Sequence, residues 1–323
     1  MIPRQALTSW SRQTPWGPDE QIAQDLFLCA VAVEVALDAI LAGALAWRGG
    51  TCLHRLHLPT PYRYSEDLDY VLLRGGATYA QMTASLRVIA DRLGAVMSAP
   101  ERSPIRYVTH FEIGAAGLAR PISIKLEINS ADAEPALDLV AVPLAVHALG
   151  WRDAEGAPLT YQVPELLGTK FRAISERKKG RDLWDIYHAT SRLRVADAPL
   201  AACAAHYLKY HDIMPSDFRQ RLAANLLDPA FRQDMDTLIV GGLGTYDPIR
   251  FGRALIVWSD QWLDPRLPTH AQRQSGSPTD GLIRCPTYEW QSGNLTRCGD
   301  RVQPGATCPT HRQAVESWIA QGE

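Results

Sequence analysis

The periodicity of the chain changes near residue 164, and that change constrains its architecture more than any other feature. Before it, strand-like runs mix with helical stretches; after it, apolar residues recur only at helical spacing. The run ISIKLEIN, 122–129, alternates apolar and polar residues with period two, which predicts a half-buried strand. Segments 68–73 (LDYVLL) and 105–113 read as strands too, with a further run around 137–146. Helices are predicted over 19–46, 52–58 and 78–96. They are followed by 164–178, 182–194, 199–211, 215–227, a segment near 228–239, and 248–262. The expected fold is α+β, a mixed sheet flanked by helices, then a helical domain and a small Cys-rich tail. The expected division is an irregular arm (1–18), an α/β domain (19–163), a helical domain (164–263), a Pro/Gly/Ser/Thr-rich linker (264–283) and the tail (284–323).

The most apolar stretch, 26–47, has the length of a membrane span. Glu34 and Asp38 interrupt it, four residues apart on one helix face, and carboxylates at that depth are costly in lipid. A buried helix in a protein without a membrane is the expectation. The N-terminus has no apolar core of a secretory signal, so the cytoplasm is the expected location. Net charge is -2, so nucleic-acid binding would need a local basic patch rather than a global charge.

Asp67 and Asp69 are two residues apart at the mouth of a strand, so both side chains face the same way. Carboxylates that close repel unless a cation lies between them, and Mg²⁺ takes such hard oxygen ligands together with substrate phosphates. A solvated strand end is the plain alternative for the pair alone. Sixteen residues before Asp67, Gly49-Gly50-Thr51 opens a predicted helix. Two glycines let the backbone approach a ligand closely, and N–H groups at a helix start hold phosphate oxygens. Alternatively, it is a helix-breaking turn capped by Thr51. Glu127, on the polar face of 122–129 with Lys125, is the candidate third carboxylate for metal and for hydroxyl activation.

Residues 170–181 hold Lys170, Arg172, Arg177, Lys178, Lys179 and Arg181 against one acid, Glu176. Such a face suits a triphosphate or an RNA backbone, although a solvated helix end has the same composition. Asp182 and Asp185 follow at once. They fit either a helix cap or carboxylates aimed at an active cleft.

Two blocks, WRGGTCLHRLHLPTPYRYSEDLDYVLL at 47–73 and VPELLGTKFRAISERKKGRDLWDIY at 163–187, together resemble the AbiEii/AbiGii-type nucleotidyltransferase toxins. The likeness is carried by Gly49, Gly50, Thr51, His54, His57, Ser65, Asp67 and Asp69, then by Lys170, Arg181, Asp182 and Asp185. It extends over roughly residues 20–195. The resemblance implies a polymerase-β-like nucleotidyltransferase core. It implies Mg²⁺ on Asp67 and Asp69 and NTP contacts from Gly49, Gly50, Thr51, Ser65, Lys170, Arg181 and Asp185, while Glu127, aligned by position rather than by motif, is the candidate third Mg²⁺ ligand on the reading of the residues themselves. Lys170 and Asp182 join the carboxylates as candidate catalytic residues. It also implies an antitoxin partner and tRNA as acceptor, with NMP passing from NTP to a hydroxyl. Two other readings stay open: nucleotidylation of a protein or small molecule, and a non-catalytic nucleotide- or RNA-binding module.

The tail is not part of that pattern. Cys285, Cys298, Cys308 and His311 are a complete tetrahedral donor set for structural Zn²⁺ in a segment with little apolar material of its own. Unbound thiols in a loose tail are the alternative. Cys29, Cys52 and Cys203 read as small core residues.

Overall fold

A computed structural model describes residues 1–263 apart from 59, 60, 131, 133, 240–243 and 245. Beyond 263 it describes only the backbone of four short strands, at 283–284, 288–291, 294–297 and 301–302. Cys285, Cys298, Cys308 and His311 lie outside the described residues, as does the expected linker up to 282. The chain divides into two compact units, Met1–Leu166 with Asp236–Gly242, and Leu167–Met235 with Leu243–Glu323.

The first unit opens on α1 (Arg4–Trp10), where an irregular arm was expected. Ala6, Leu7 and Trp10 are buried on one face, and the Trp10 indole N–H donates to Asp25 Oδ2 at 2.7 Å. That burial makes a seven-residue helix viable. Helix α2 (Asp19–Leu37) carries the apolar stretch but stops nine residues short of the expected end. Asp38 is extended, and its Oδ1 accepts from the N–H groups of Ile40 and Leu41, each at 2.9 Å. This local turn competes with helix. It frees the chain to form β1 (Leu45–Arg48). Glu34, buried in α2, is paired with Arg152 and, at 3.4 Å, with Arg92, which explains how a carboxylate sits in so apolar a helix. Among the described residues no helix is long and apolar enough to cross a membrane.

After β1 come α3 (Gly49–Cys52) and a wider π-type turn at Leu53–His57. The expected strand follows as β2 (Asp67–Leu72), then α4 (Tyr79–Leu93), β3 (Val96–Met97), β4 (Glu101–Ser103), β5 (Arg106–Ile113) and β6 (Ile122–Asn129). The run expected at 137–146 is split into β7 (Val140–Ala141) and β8 (Leu144–Ala148). Pro143, which has no N–H to give a ladder, lies between them. β8 forms a hairpin with β9 (Arg152–Gly156), and β10 (Leu159–Thr160) closes the unit's strand set. The main sheet runs β3-β5-β6-β2-β1-β10-β7, with β4 also on β5. It is mixed: β2–β6 and β1–β10 are parallel, the remaining pairs antiparallel. Leu68, Tyr70, Ile124, Leu126 and Ile128 fill one side of it, which leaves Asp67, Asp69, Lys125 and Glu127 on the other.

The second unit is helical: α5 (Val163–Glu176, within which the division falls), α6 (Gly180–Arg192), α7 (Asp197–Tyr210), α8 (Pro215–Leu227), α9 (Pro229–Gln233) and α10 (Pro248–Leu263). Phe171, Phe218 and Trp258 pack together at its centre, with ring centroids 5.0 and 5.5 Å from Phe171. The helix expected near 228–239 shrinks to α9. Residues 236–242 belong to the first unit, where the Leu238 carbonyl accepts from the Tyr64 N–H at 2.9 Å.

Candidate active site

The glycine pair and the acidic strand meet in the first unit. β1 pairs with β2 so that Arg48 stands opposite Asp69, and the chain then turns at Gly49 with φ +86. A Cβ at Gly49 would lie 2.7 Å from Asp69 Oδ2, closer than real Cβ atoms come. The position therefore needs glycine twice over, for its left-handed backbone and for the carboxylate that fills the space. Thr51, two residues on, donates from Oγ1 to Ser65 Oγ at 2.6 Å. Gly49, Gly50, Thr51, Ser65 and Asp69 are thus gathered into one spot, with Asp67 beside them on the same strand.

Burial, and then the neighbouring Asp67 carboxylate, push Asp69 above the ordinary carboxylate range, while Arg48 and Lys125 pull it back. Two hard-oxygen donors held side by side, one of them resisting ionisation, are a donor set suited to a divalent cation. Glu127 stands opposite Asp69 on parallel β6, as Lys125 stands opposite Asp67. Its carboxylate accepts from Arg106 Nη2 at 3.0 Å and lies 3.4 Å from Lys125 Nζ, which is 3.5 Å from Asp67 Oδ2. Partial burial would lower the Lys125 ammonium, but the carboxylates of Asp67, Asp69 and Glu127 raise it above its ordinary value. Among the described residues no group of three or more His, Cys, Asp or Glu side chains is assembled as a metal cage. The structure brings together the Asp pair, with Glu127 one strand away and neutralised by cations.

Arg48 escaped sequence reasoning. It is nearly buried and forms an ion pair with Asp132, itself 1% exposed, and it is one of the charges that favour ionised Asp69. Its position immediately before the glycine pair was the available signal. His54 is buried, and burial lowers His57 below the ordinary histidine value.

In the second unit, Lys170 and Asp182 are brought together with Asp185. The Lys170 ammonium lies 3.0 Å from Asp182 Oδ1 and 2.7 Å from Asp185 Oδ2, all three side chains being buried. Arg177 adds two bonds to Asp182, at 2.8 and 2.9 Å. Burial alone would raise Asp182, but Lys170 and Arg177 outweigh it and hold the carboxyl below its usual range. Asp182 does not cap α6: Lys179 occupies the cap position, and Asp182 lies in the first turn. The Arg181 backbone N–H donates to Asp234 at 3.0 Å.

A mixed sheet that sets a glycine turn against paired strand carboxylates fits the nucleotidyltransferase class. The chain belongs to the AbiEii nucleotidyltransferase toxin family of type IV toxin–antitoxin systems, whose profile matches residues 34–256. Membership makes it a nucleotidyltransferase with an NTP substrate and an antitoxin partner. Among solved structures it is similar to MenT4, a nucleotidyltransferase toxin from Mycobacterium tuberculosis H37Rv. The two share 12% identity and a TM-score of 0.51, over 98% of this chain and 99% of that one. That likeness supports the fold. JHP933 from Helicobacter pylori aligns at 16% identity and a TM-score of 0.41, over 80% and 92%. No curated protein matches the sequence.

Proposed function

We propose that the chain transfers a nucleoside monophosphate from an NTP to the 3′ end of tRNA, in a reaction that requires Mg²⁺. The observation that supports nucleotidyl transfer is the contact between Gly49 and Asp69, which sets a side-chain-free turn against a carboxylate pair, and the tRNA acceptor is taken from the family resemblance. Asp67 and Asp69 would hold the cation, with Glu127 as a third, weaker carboxylate. When bound, the cation supplies charge neutralisation to the phosphate oxygens. The Gly49–Gly50 backbone and the Thr51 and Ser65 hydroxyls would hold the phosphates in line with the acceptor hydroxyl. The family motif extends the reading to Lys170, Arg181 and Asp185 as nucleotide contacts, with Lys170 and Asp182 as candidate catalytic residues. The contacts of Lys170 within its own unit support a holding role as well. Substituting Lys170→Arg keeps the charge and tests the nucleotide contact through the KM for NTP.

The direct test incubates the protein with labelled NTPs and total tRNA, with Mg²⁺ or with EDTA. Label should enter tRNA only with Mg²⁺, and Asp67→Asn or Asp69→Asn should lower the rate by about 100-fold or more, beyond the loss typical of outer ligands. Equal transfer by wild type and Asp69→Asn ends the assignment; label in protein or in a small molecule moves the acceptor. In the tail, we propose structural zinc on Cys285, Cys298, Cys308 and His311. Elemental analysis of the purified chain should find about one zinc per molecule, the stoichiometry of a single four-ligand site, and its absence removes that assignment.

A further inference from the structure

Gln24 lies on α2, outside the matched family segment 34–256, and nothing about a helix facing the core requires an amide there. Its side chain is nevertheless engaged at both ends. Nε2 donates to the Ser123 carbonyl at 2.8 Å and to Glu66 Oε2 at 3.2 Å, and Oε1 accepts from the Tyr64 hydroxyl. Tyr64 and Glu66 flank Ser65, the partner of Thr51, and lead straight into Asp67. Ser123 belongs to β6, two residues before Lys125 and four before Glu127. Because β2 and β6 run parallel with Asp67 beside Lys125, their entries lie side by side, and Gln24 joins them there. Gln24 is only 8% exposed, so its hydrogen bonds are not readily exchanged for water.

The next residue performs the matching task on the glycine side. Asp25 pairs with Arg55, which sits in the turn that continues α3, and accepts from the Trp10 indole at 2.7 Å. Two consecutive residues of α2 therefore hold the two halves of the site. Gln24 holds the approach to the carboxylates, and Asp25 holds the turn that begins at Gly49. Burial, followed by the charges of Glu66, Asp25 and Glu20, keeps the Tyr64 phenol protonated and so able to donate.

We propose that Gln24 is a positioning residue for nucleotidyl transfer: it fixes Ser65 and the acidic strand edge relative to the glycine turn without touching substrate. The inference rests on the active-site reading above and assigns a determinant that the motif does not contain. A displacement of about 1 Å at a reacting centre costs on the order of 100-fold in rate, so a residue that sets this spacing should act on kcat.

The test is a donor–acceptor swap. Gln24→Glu keeps the acceptor for Tyr64, removes the donor to Ser123, and sets a second carboxylate against Glu66. Adding Glu66→Gln restores a hydrogen-bonding pair at that contact. The expected result for Gln24→Glu is a fall in kcat of about tenfold or more with the NTP KM changed less than about threefold, and substantial recovery in the double variant. Amide hydrogen exchange over residues 64–69 and 123–124 should quicken in the single variant, and over 64–69 it should slow again in the double. A kcat within about twofold of wild type, or a loss that Glu66→Gln does not relieve, overturns the proposal. Where Gln24→Glu fails to fold, Tyr64→Phe deletes one hydroxyl and no bulk, and should move kcat and local exchange in the same directions; unchanged values overturn the proposal equally. If wild type transfers nucleotide to no acceptor, the functional reading fails by itself, and the exchange measurement still decides whether Gln24 holds the segment.

Discussion

Replacing Lys170 with Met tests the ion cluster of the helical unit. The ammonium lies 3.0 Å from Asp182 and 2.7 Å from Asp185, and all three side chains are at most 6% exposed. Met conserves most of the length and volume of the lysine stem, so cavity formation contributes little, and the cost is electrostatic. Removing one partner of a buried pair typically costs about 3–5 kcal/mol, because a desolvated charge loses its counterion. Arg177 still serves Asp182 through two bonds, so a loss near the lower figure, about 3 kcal/mol, is expected. Asp182 has a depressed carboxyl value in the folded chain. Its stabilisation is therefore complete above the unfolded value, about 3.9, and is lost as pH falls through the lower folded value. Urea unfolding at pH 7 should show the full deficit in Lys170→Met, and the deficit should narrow as the pH is lowered past about 4. A loss under about 1 kcal/mol at pH 7, or equal deficits at pH 7 and in acid, would mean that the ion cluster does not hold the helical unit together.

Gly49→Ala puts a methyl 2.7 Å from Asp69 Oδ2 at φ +86. It should cost about 1–2 kcal/mol of stability from the left-handed backbone, and at least about tenfold in transfer rate as Asp69 is displaced. Gly43→Ala, where an added Cβ meets nothing within 4 Å, is the control and should leave the rate unchanged. Asp69→Asn removes a carboxyl whose folded value is raised, a group that costs stability when charged and whose cost is relieved as pH falls. In EDTA at neutral pH its melting temperature should exceed wild type by about 2 °C or more, and added Mg²⁺ should stabilise wild type more than the variant. A variant that melts below wild type in EDTA contradicts the electrostatic reading of the pair.

The strand carrying Glu127 was legible because its alternation is set by one buried face: Ile122, Ile124, Leu126 and Ile128 are buried in the structure. Asp67 and Asp69 were legible as same-face neighbours for the same reason. The helix expected to run to residue 46 was not. Leu45, Ala46 and Trp47 suit either a buried helix or a central strand, and the outcome is decided by Asp38 turning the chain and by pairing with β2, a contact distant in sequence. Helix α1 escaped for a related reason. Seven residues hardly sustain a helix alone, and the bond from Trp10 to Asp25 that secures it spans fifteen positions. Gln24 belongs to the site only through partners 40 to 99 residues away, which no local pattern encodes, and the ion pair that holds Arg48 reaches Asp132 across 84 residues.

The local terms at this site run against stability: a left-handed backbone at Gly49, a carboxylate pressed onto it, and a second carboxylate beside the first. None of these would persist unless neighbouring structure held them. The holding elements are identifiable. Arg48 and Lys125 supply positive charge, β1 and β6 fix the register on either side of β2, and Gln24 and Asp25 bind the loop and the turn to a helix whose interior is almost wholly buried. Since α2 touches both halves of the site through adjacent residues, a change in its packing should disturb the glycine turn and the acidic strand together. That follows from one helix serving two partners through neighbouring residues, and it explains how residues well outside the motif come to control the spacing on which in-line transfer depends.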